Sequence, residues 1–385
     1  MDFGLTAAEE RFREEVCAFL STPRVRDAVR TWERRPPGEE PGLLDVYRWL
    51  GERGWLAVSW PVEYGGLGGS AVDKLIVTEE LILHGVPEVV YTLSVDIVGP
   101  LLLASGTPEQ RRRLLPPLAR GERSAAVLFT EPGVGSDLAA LRTRAERDGD
   151  GWRLHGTKTF NVKTAFADFA VCAARTTRSD VPFHGITLFL LPLKTPGVVV
   201  RPMPGMADDR FNEVTLEGIR LTRADVVGEV DGGWRAINDL LRLERTGVEF
   251  EARARRWLDV TLRHAARTGG LDDRVLGHRL VELDAMARAS RLLALRAVTD
   301  LRDGTPDDVV SATAKWYSSE LGRRVAACAM DVLGLAGGLS RWDGEAPDGG
   351  LLEAALREAP GLTLASGTSE IMLSIIASRG LELAV

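Results

Sequence analysis

Glu244 stands where an apolar side chain is expected. The segment from Gly233 to about Arg267 has no proline and carries apolar residues at helical spacing. Steps of three and four from Ile237 reach Leu240, Leu241, Glu244 and Val248, all on one face. Burying an unpaired carboxylate is costly or forces its pKa upward, and a chain keeps such a group mostly where a proton has to move. Glu244 is therefore a candidate general base. Two bland accounts compete with that reading: a buried ion pair, or a stripe that turns to solvent near Glu251.

A second candidate is the string Thr130-Glu131-Pro132-Gly133-Val134-Gly135-Ser136-Asp137. As plain structure it is a tight loop, with Ser136 and Asp137 capping the next segment. As a binding element, its glycines let the backbone approach a ligand, while Thr130 and Ser136 offer hydroxyl and N–H donors to oxygen-rich groups. It gains meaning beside GTKTF at 156–160 and SGTSEI at 366–371. Common nucleotide signatures fail. GWRLHGTKT has one residue too many for a P-loop and lies among strands, and Gly133-Val134-Gly135 lacks the third glycine of a dinucleotide fingerprint. HExxH and GxSxG are absent, and five histidines with scattered cysteines argue against a metal site.

Elements of two periods must hold these residues. At 385 residues the chain suits two or three packed subdomains. Up to residue 122 the period is helical: Phe12, Val16, Phe19 and Leu20 share a face, as do Leu44, Tyr47 and Leu50, with turns at TPRV, RPPGEEPG and WPVEYGGLGG. From about Ser124 to Val230 come short β-branched runs, GWRLHG, DFAVCAAR, GITLFLL, GVVVRPM and EVTLEGIRL. Helical spacing resumes at Gly233. The expected fold is α+β: an N-terminal all-α domain over 1–122, a middle antiparallel β-barrel-like domain over 123–232 and a C-terminal four-helix bundle over 233–385.

Composition excludes other classes. A net charge of −7 and pI near 5.5, without basic patches interleaved with aromatics, argue against nucleic acid. The arginine runs 111–113 and 253, 255 and 256 read as solvated helix faces, or, less commonly, as docking points for a carrier protein or coenzyme A phosphates. Cys17, Cys172 and Cys328 give no disulfide framework. MDFGLTAAEERFREEV reads as an amphipathic helix rather than a signal peptide. The apolar stretch from Val86 to Ala104 is interrupted by Glu88, Asp96 and Pro100 and reads as a buried helix, not a membrane span. A soluble, cytoplasmic protein is expected.

The chain resembles the acyl-CoA dehydrogenase family along nearly its whole length. The matching strings are Trp60-Pro61-Val62-Glu63-Tyr64-Gly65-Gly66, the Thr130–Asp137 loop, GTKTF, LERTG at 243–247, GLAGG at 334–338 and ASGTSEIMLSIIASRGL. The resemblance implies FAD held between the β-module and the C-terminal helices, in a homotetramer or homodimer. Phe129, Thr130, Gly135 and Ser136 would line the flavin and the thioester arm, with Phe160 and Val162 against the ring. Thr368 and Glu370 would meet the pyrophosphate and ribose region, and Asp331 with Gly334 the dinucleotide of a neighbouring subunit. Leu240, Leu241, Arg245 and Ser136 would face the substrate. Many members place the base immediately before the Gly-Thr of the C-terminal motif. Here that position is Ser366, whose backbone N–H can still serve an oxyanion. Another branch, including isovaleryl-CoA dehydrogenases, places the base before an arginine in the bundle helix, here Glu244-Arg245.

The implied reaction is α,β-dehydrogenation of an acyl thioester, carried by coenzyme A or by an acyl or peptidyl carrier protein. Glu244 would take the α-proton and flavin N5 the β-hydride. An electron-transferring flavoprotein is the implied acceptor. Two departures stand out: Val162 occupies a position usually held by Ser or Thr, and HAARTGGLDDRVLG replaces the usual Arg-x-x-Phe-Gly string. Rival readings are a non-catalytic partner subunit of a hetero-oligomeric dehydrogenase, and a flavin-dependent oxidase or monooxygenase on the same scaffold.

Overall fold

The structure, a computed structural model, describes residues 4–34, 44–208 and 211–383; the side chains of Leu44, Val90, Arg242, Leu243 and Glu244 lie outside the description. The turn expected at RPPGEEPG therefore lies outside the described residues. Among its described residues the N-terminal zone is built of helices and turns. Helix α1 (Ala7–Leu20) begins at a capping box, in which Thr6 accepts from the Glu9 N–H and Glu9 accepts from that of Thr6. It buries Val16, Phe19 and Leu20. Helices α2 (Pro23–Glu33), α3 (Leu44–Gly51) and α4 (Ala71–Leu83) come next, the last behind a second capping box at Ser70 and Asp73. Helix α5 (Val89–Tyr91) runs through π-helical turns at Thr92–Val98 into α6 (Gly99–Ser105), and α7 (Pro108–Ala119) closes the zone. The apolar stretch is thus buried helix, and among the described residues no helix is long and apolar enough to cross a membrane.

Strands β1 (Ala125–Leu128), β2 (Arg144–Asp148), β3 (Gly151–Val162), β4 (Phe169–Arg175), β5 (Ile186–Pro192), β6 (Val198–Met203), β7 (Phe211–Leu221) and β8 (Val226–Val227) form one sheet, ordered β6-β7-β3-β2-β4-β5-β8 with β1 beside β4. Antiparallel pairs dominate, but β1 and β2 both run parallel to β4. Both faces of β4 are covered. Phe169, Val171 and Ala173 join a core shared with the N-terminal helices, and Ala170, Cys172 and Ala174 join a core on the sheet's other side. That double burial explains why DFAVCAAR is apolar without alternation.

The C-terminal zone holds α8 (Gly233–Glu244), α9 (Val248–Thr268), α10 (Arg274–Arg302), α11 (Asp308–Leu333), α12 (Leu351–Leu362) and α13 (Ser369–Ile375). Trp257, Leu258, Leu321 and Leu362 form the bundle's own core. One expectation fails here. The helix from Gly233 to Arg267 is not continuous: it stops at Glu244 and restarts at Val248. Gly247 has φ +77°, and a Cβ there would lie 2.9 Å from the Ala314 backbone of α11. Close approach of α11 therefore requires glycine and a left-handed turn, which ends the helix.

Candidate active site

Strings distant in sequence meet in two places. The Thr130–Asp137 loop joins GTKTF through a buried ion pair, and LERTG joins the C-terminal motif through a hydrogen bond. Lys158 of GTKTF is buried, and its Nζ donates to the Phe129 carbonyl at 3.0 Å and to Glu131 Oε1 at 2.8 Å. Glu131 also accepts from the Arg142 and Thr143 N–H groups, at 2.6 and 2.9 Å. Burial alone would raise the Glu131 carboxyl, but the Lys158 charge and these donors hold it below the usual carboxylate range. Glu131 is thus a clamp that points the acid of its loop inward. Phe129 and Thr130 are half-buried, and Gly135, Ser136 and the terminal Asp137 are exposed.

Strand β3 reaches that loop, where the Thr159 N–H donates to the Thr130 carbonyl at 2.9 Å. Beyond it comes a register shift between Lys158 and Asn161. The shift turns Phe160 outward with φ +55° and leaves the side chain 58% exposed, touching Phe211 edge-on at 5.8 Å. A non-glycine residue in left-handed backbone costs about 1 kcal/mol, and an exposed phenylalanine recovers little of it by burial. Such strain gathers at ligand sites. Val162, half-buried, ends the strand.

Helix α8 enters from the other side. Ile237 and Leu240 are buried in the same core as Val134 of the loop, and half-buried Phe129 and Leu241 pack against that core. The backbone of Glu244 is the last turn of this helix; its side chain lies outside the described residues. The next residue, Arg245, donates from Nε to the Ser366 carbonyl at 3.1 Å. Buried Lys315 of α11 donates to the carbonyls of Gly367 at 2.7 Å and Leu362 at 3.1 Å. Two cations therefore gather the carbonyls of the 362–367 loop and fix Ser366, which has φ +56°, beside the end of α8. Thr368 caps α13 by accepting from the Ile371 N–H, and Glu370 is exposed, its carboxyl held low by its own backbone N–H and by Thr368.

Asp331 and Gly334 are not part of this convergence within one chain. Asp331 is sixteen residues beyond Lys315 on α11, roughly 24 Å at helical rise, and forms an ion pair with Arg279 at 2.6 Å.

The donor set fits a flavin. It offers an exposed aromatic plate at Phe160, hydroxyls at Thr130 and Ser136, and glycines 133 and 135 with open space where a Cβ would lie. The loop's glutamate is turned inward onto Lys158, so its charge is neutralised away from the ligand side; the loop's other acid, Asp137, is exposed at its end.

Three family models match consecutive parts of the chain: the acyl-CoA dehydrogenase N-terminal domain over 6–122, the middle domain over 126–219 and the C-terminal domain over 231–381. Acyl-CoA dehydrogenase FadE26 of Mycobacterium tuberculosis is 32% identical over 403 residues, covering 100% of this chain and 99% of that protein. The chain belongs to the acyl-CoA dehydrogenase family. Its members are flavoprotein oxidoreductases acting on acyl thioesters. Among solved structures, the Tcur3481-Tcur3483 steroid ACAD superposes with a TM-score of 0.92 at 29% identity, covering 100% of both chains. The ChsE4-ChsE5 complex from Mycobacterium tuberculosis gives 0.88 at 29%, again over 100% of both.

Sequence reasoning missed several residues around the acyl-CoA dehydrogenase site. Lys315 carried no signal beyond being a lysine in an apolar helix stripe. The arginines at 253, 255 and 256 are not solvated faces as expected. Arg253 pairs with Glu88 and Glu358, Arg255 with Glu79 and Glu251, and Arg256 with Glu33, tying α9 to the N-terminal helices. Glu251 does not mark a turn to solvent either. It is 1% exposed, and burial pushes its carboxyl up to about 7 against the Arg255 guanidinium, with Glu79 adding to the rise.

Proposed function

We propose that this chain is an FAD-dependent dehydrogenase that introduces a double bond between the α and β carbons of an acyl thioester. When bound, FAD accepts the β-hydride and supplies the redox chemistry. Phe129, Thr130, Gly135, Ser136, Phe160 and Val162 hold the flavin side of the site; Thr368 and Glu370 serve the pyrophosphate and ribose region; Asp331 and Gly334 serve a neighbouring subunit's cofactor. Glu244 takes the α-proton as general base. Leu240 and Leu241 exclude water from its helix face, so the proton passes to the carboxylate rather than to solvent. The Ser366 N–H stabilises charge developing on the thioester oxygen. Arg245 keeps that loop in register with the base. Three domains, 1–122, 123–232 and 233–385, divide these tasks. The carrier is coenzyme A or an acyl carrier protein, and the electron acceptor an electron-transferring flavoprotein.

The observation that carries the reading is the Arg245–Ser366 hydrogen bond. It joins the residue after the candidate base to the loop that leads into the family's C-terminal motif. The test is anaerobic bleaching of the flavin by a panel of acyl-CoA and acyl-carrier thioesters, steroid side-chain thioesters included. Glu244→Gln is expected to keep FAD bound and slow flavin reduction by about 10² or more. Reduction at the parent rate would move the base to another acid, Glu251 first.

A second reading has its own support: two similar solved structures carry paired names, Tcur3481-Tcur3483 and ChsE4-ChsE5. On that reading the chain works beside a different homologous subunit. Full flavin occupancy and turnover in a purified homo-oligomer would rule it out.

A further inference from the structure

A cavity of about 50 Å³ opens between α4, the π-helical turns at Thr92–Val98, the start of α9 and the end of α10. Thr246 and Val248 line it, and they come directly after Glu244-Arg245, so it lies just past the candidate base. Ala71, Leu75, Val248, Val298 and Leu301 give it apolar walls, and a group of charged and hydroxyl side chains stands among them. Lys74 reaches Asp96 at 3.0 Å, with the Asp96 side chain almost wholly buried, and Thr78 and Glu249 complete the polar lining. Glu249 Oε1 accepts from Thr92 Oγ1 at 2.8 Å. Burial pushes the Asp96 carboxyl up while Lys74 works against that rise.

An ion pair in such a place adds little stability and is weak evidence of a structural need. A methyl tip would pack on the apolar walls but would screen from solvent the Asp96 and Glu249 carboxylates, whose oxygens can accept further hydrogen bonds beside those from Lys74 and Thr92, and would return none. A hydroxyl tip would supply one. A carboxylate tip would meet two carboxylates and one ammonium. The room is that of a few water molecules, enough for a polar tip and too small for a ring.

We infer that Lys74, Asp96, Thr78 and Glu249 form a specificity subsite for acyl groups carrying an uncharged hydroxyl at the end remote from the thioester. The inference rests on the thioester reading above and names its substrate class. Sites built to hydrogen-bond a hydroxyl reject analogues lacking it far more strongly than apolar pockets reject a methylene.

The test compares, over a series of chain lengths, coenzyme A conjugates with alkyl, ω-hydroxyalkyl and ω-carboxyalkyl tips on the FAD-loaded enzyme. Each is offered as a reactive thioester, read by kcat/KM, and as an unreactive thioether, read by Kd. At the best length the hydroxyl tip is expected to exceed the alkyl tip about tenfold or more in both readings. Lys74→Met with Asp96→Leu is expected to reverse that order, and Asp96→Asn to keep part of it. Equal or better binding of the alkyl tip by the parent enzyme overturns the inference, whether or not the double variant folds. So does an order unchanged in a folded double variant, or failure of every thioether to bind. A hydroxyl preference among thioethers with no flavin reduction by any thioester would sink the dehydrogenase reading and leave the subsite standing.

Discussion

Glu251 sets a pH dependence on the stability of the whole bundle. Its carboxyl is raised from 4.5 to about 7, first by burial and then by the neighbouring Glu79 charge, against the lowering effect of Arg255 and Arg291. The geometry agrees with a raised value. Arg255 Nε stands 3.0 Å from Glu251 Oε1, yet the two are not aligned as a hydrogen bond, and neither atom has another partner. The sign comes from linkage. A group that binds its proton more tightly folded than unfolded gives stability that is full below about 4.5 and lost as pH rises through 7. The difference between those values corresponds to about 3 kcal/mol as an upper figure. Unfolding entropy for a chain of 385 residues is about 0.8 kcal/mol/K, so the effect on Tm is roughly 4 °C. Glu251→Gln removes the titration. Denaturant unfolding and calorimetry of both proteins at pH 5, 6, 7 and 8 give the readout. The variant should gain on the parent from pH 5 to about 7 and level off by pH 8, the gap changing by about 3 kcal/mol at most. Parallel pH curves for the two proteins would refute the argument, because Glu251 would then be charged throughout and fully satisfied by Arg255.

Lys158→Met leaves Glu131 buried without its counter-charge, and urea unfolding should show a loss of about 3–5 kcal/mol. Adding Glu131→Leu should restore part of it; no restoration would mean the pair itself is not what the site needs. Phe160→Gly should leave Tm unchanged or slightly raised, since φ +55° suits glycine, while FAD affinity by titration of the apoenzyme falls about tenfold, near 1.4 kcal/mol. Unchanged affinity would deny Phe160 a ligand role. Gly247→Ala should cost about 2 kcal/mol or more in unfolding free energy, because it meets both φ +77° and the Ala314 backbone. A silent substitution would mean the helix can run through Glu244 after all.

Periodicity made the helix–sheet–helix order legible, and it missed three strands for separate reasons. Strand β2 is RAERD, too charged to alternate, and holds its place through β3. Strand β1 is four residues, half of them alanine, too short to show a period, and β8 is two residues long. At the site, Thr130–Asp137 and GTKTF were recognisable as strings, but not the buried Lys158–Glu131 pair that makes them one object. A lysine inside a strand gives no sign of where its ammonium ends.

The charged residues that broke the apolar run from Val86 to Ala104 carried more information than their use against a membrane span required. Glu88 reaches Arg253 and Asp96 reaches Lys74, each a buried carboxylate meeting a half-buried cation on another element. Those two pairs have different surroundings. Glu88 sits in the arginine network that bolts α9 to the N-terminal helices, where geometry alone justifies the charge. Asp96 pairs with Lys74 at a cavity that Thr246 and Val248, just past the candidate base in sequence, also line. A charge that interrupts a buried run therefore signals a long-range partner, and the space next to it decides whether that partner is structure alone or also substrate. By that criterion Asp96, rather than the more conspicuous arginine runs, is the residue through which this chain's sequence speaks about what it binds.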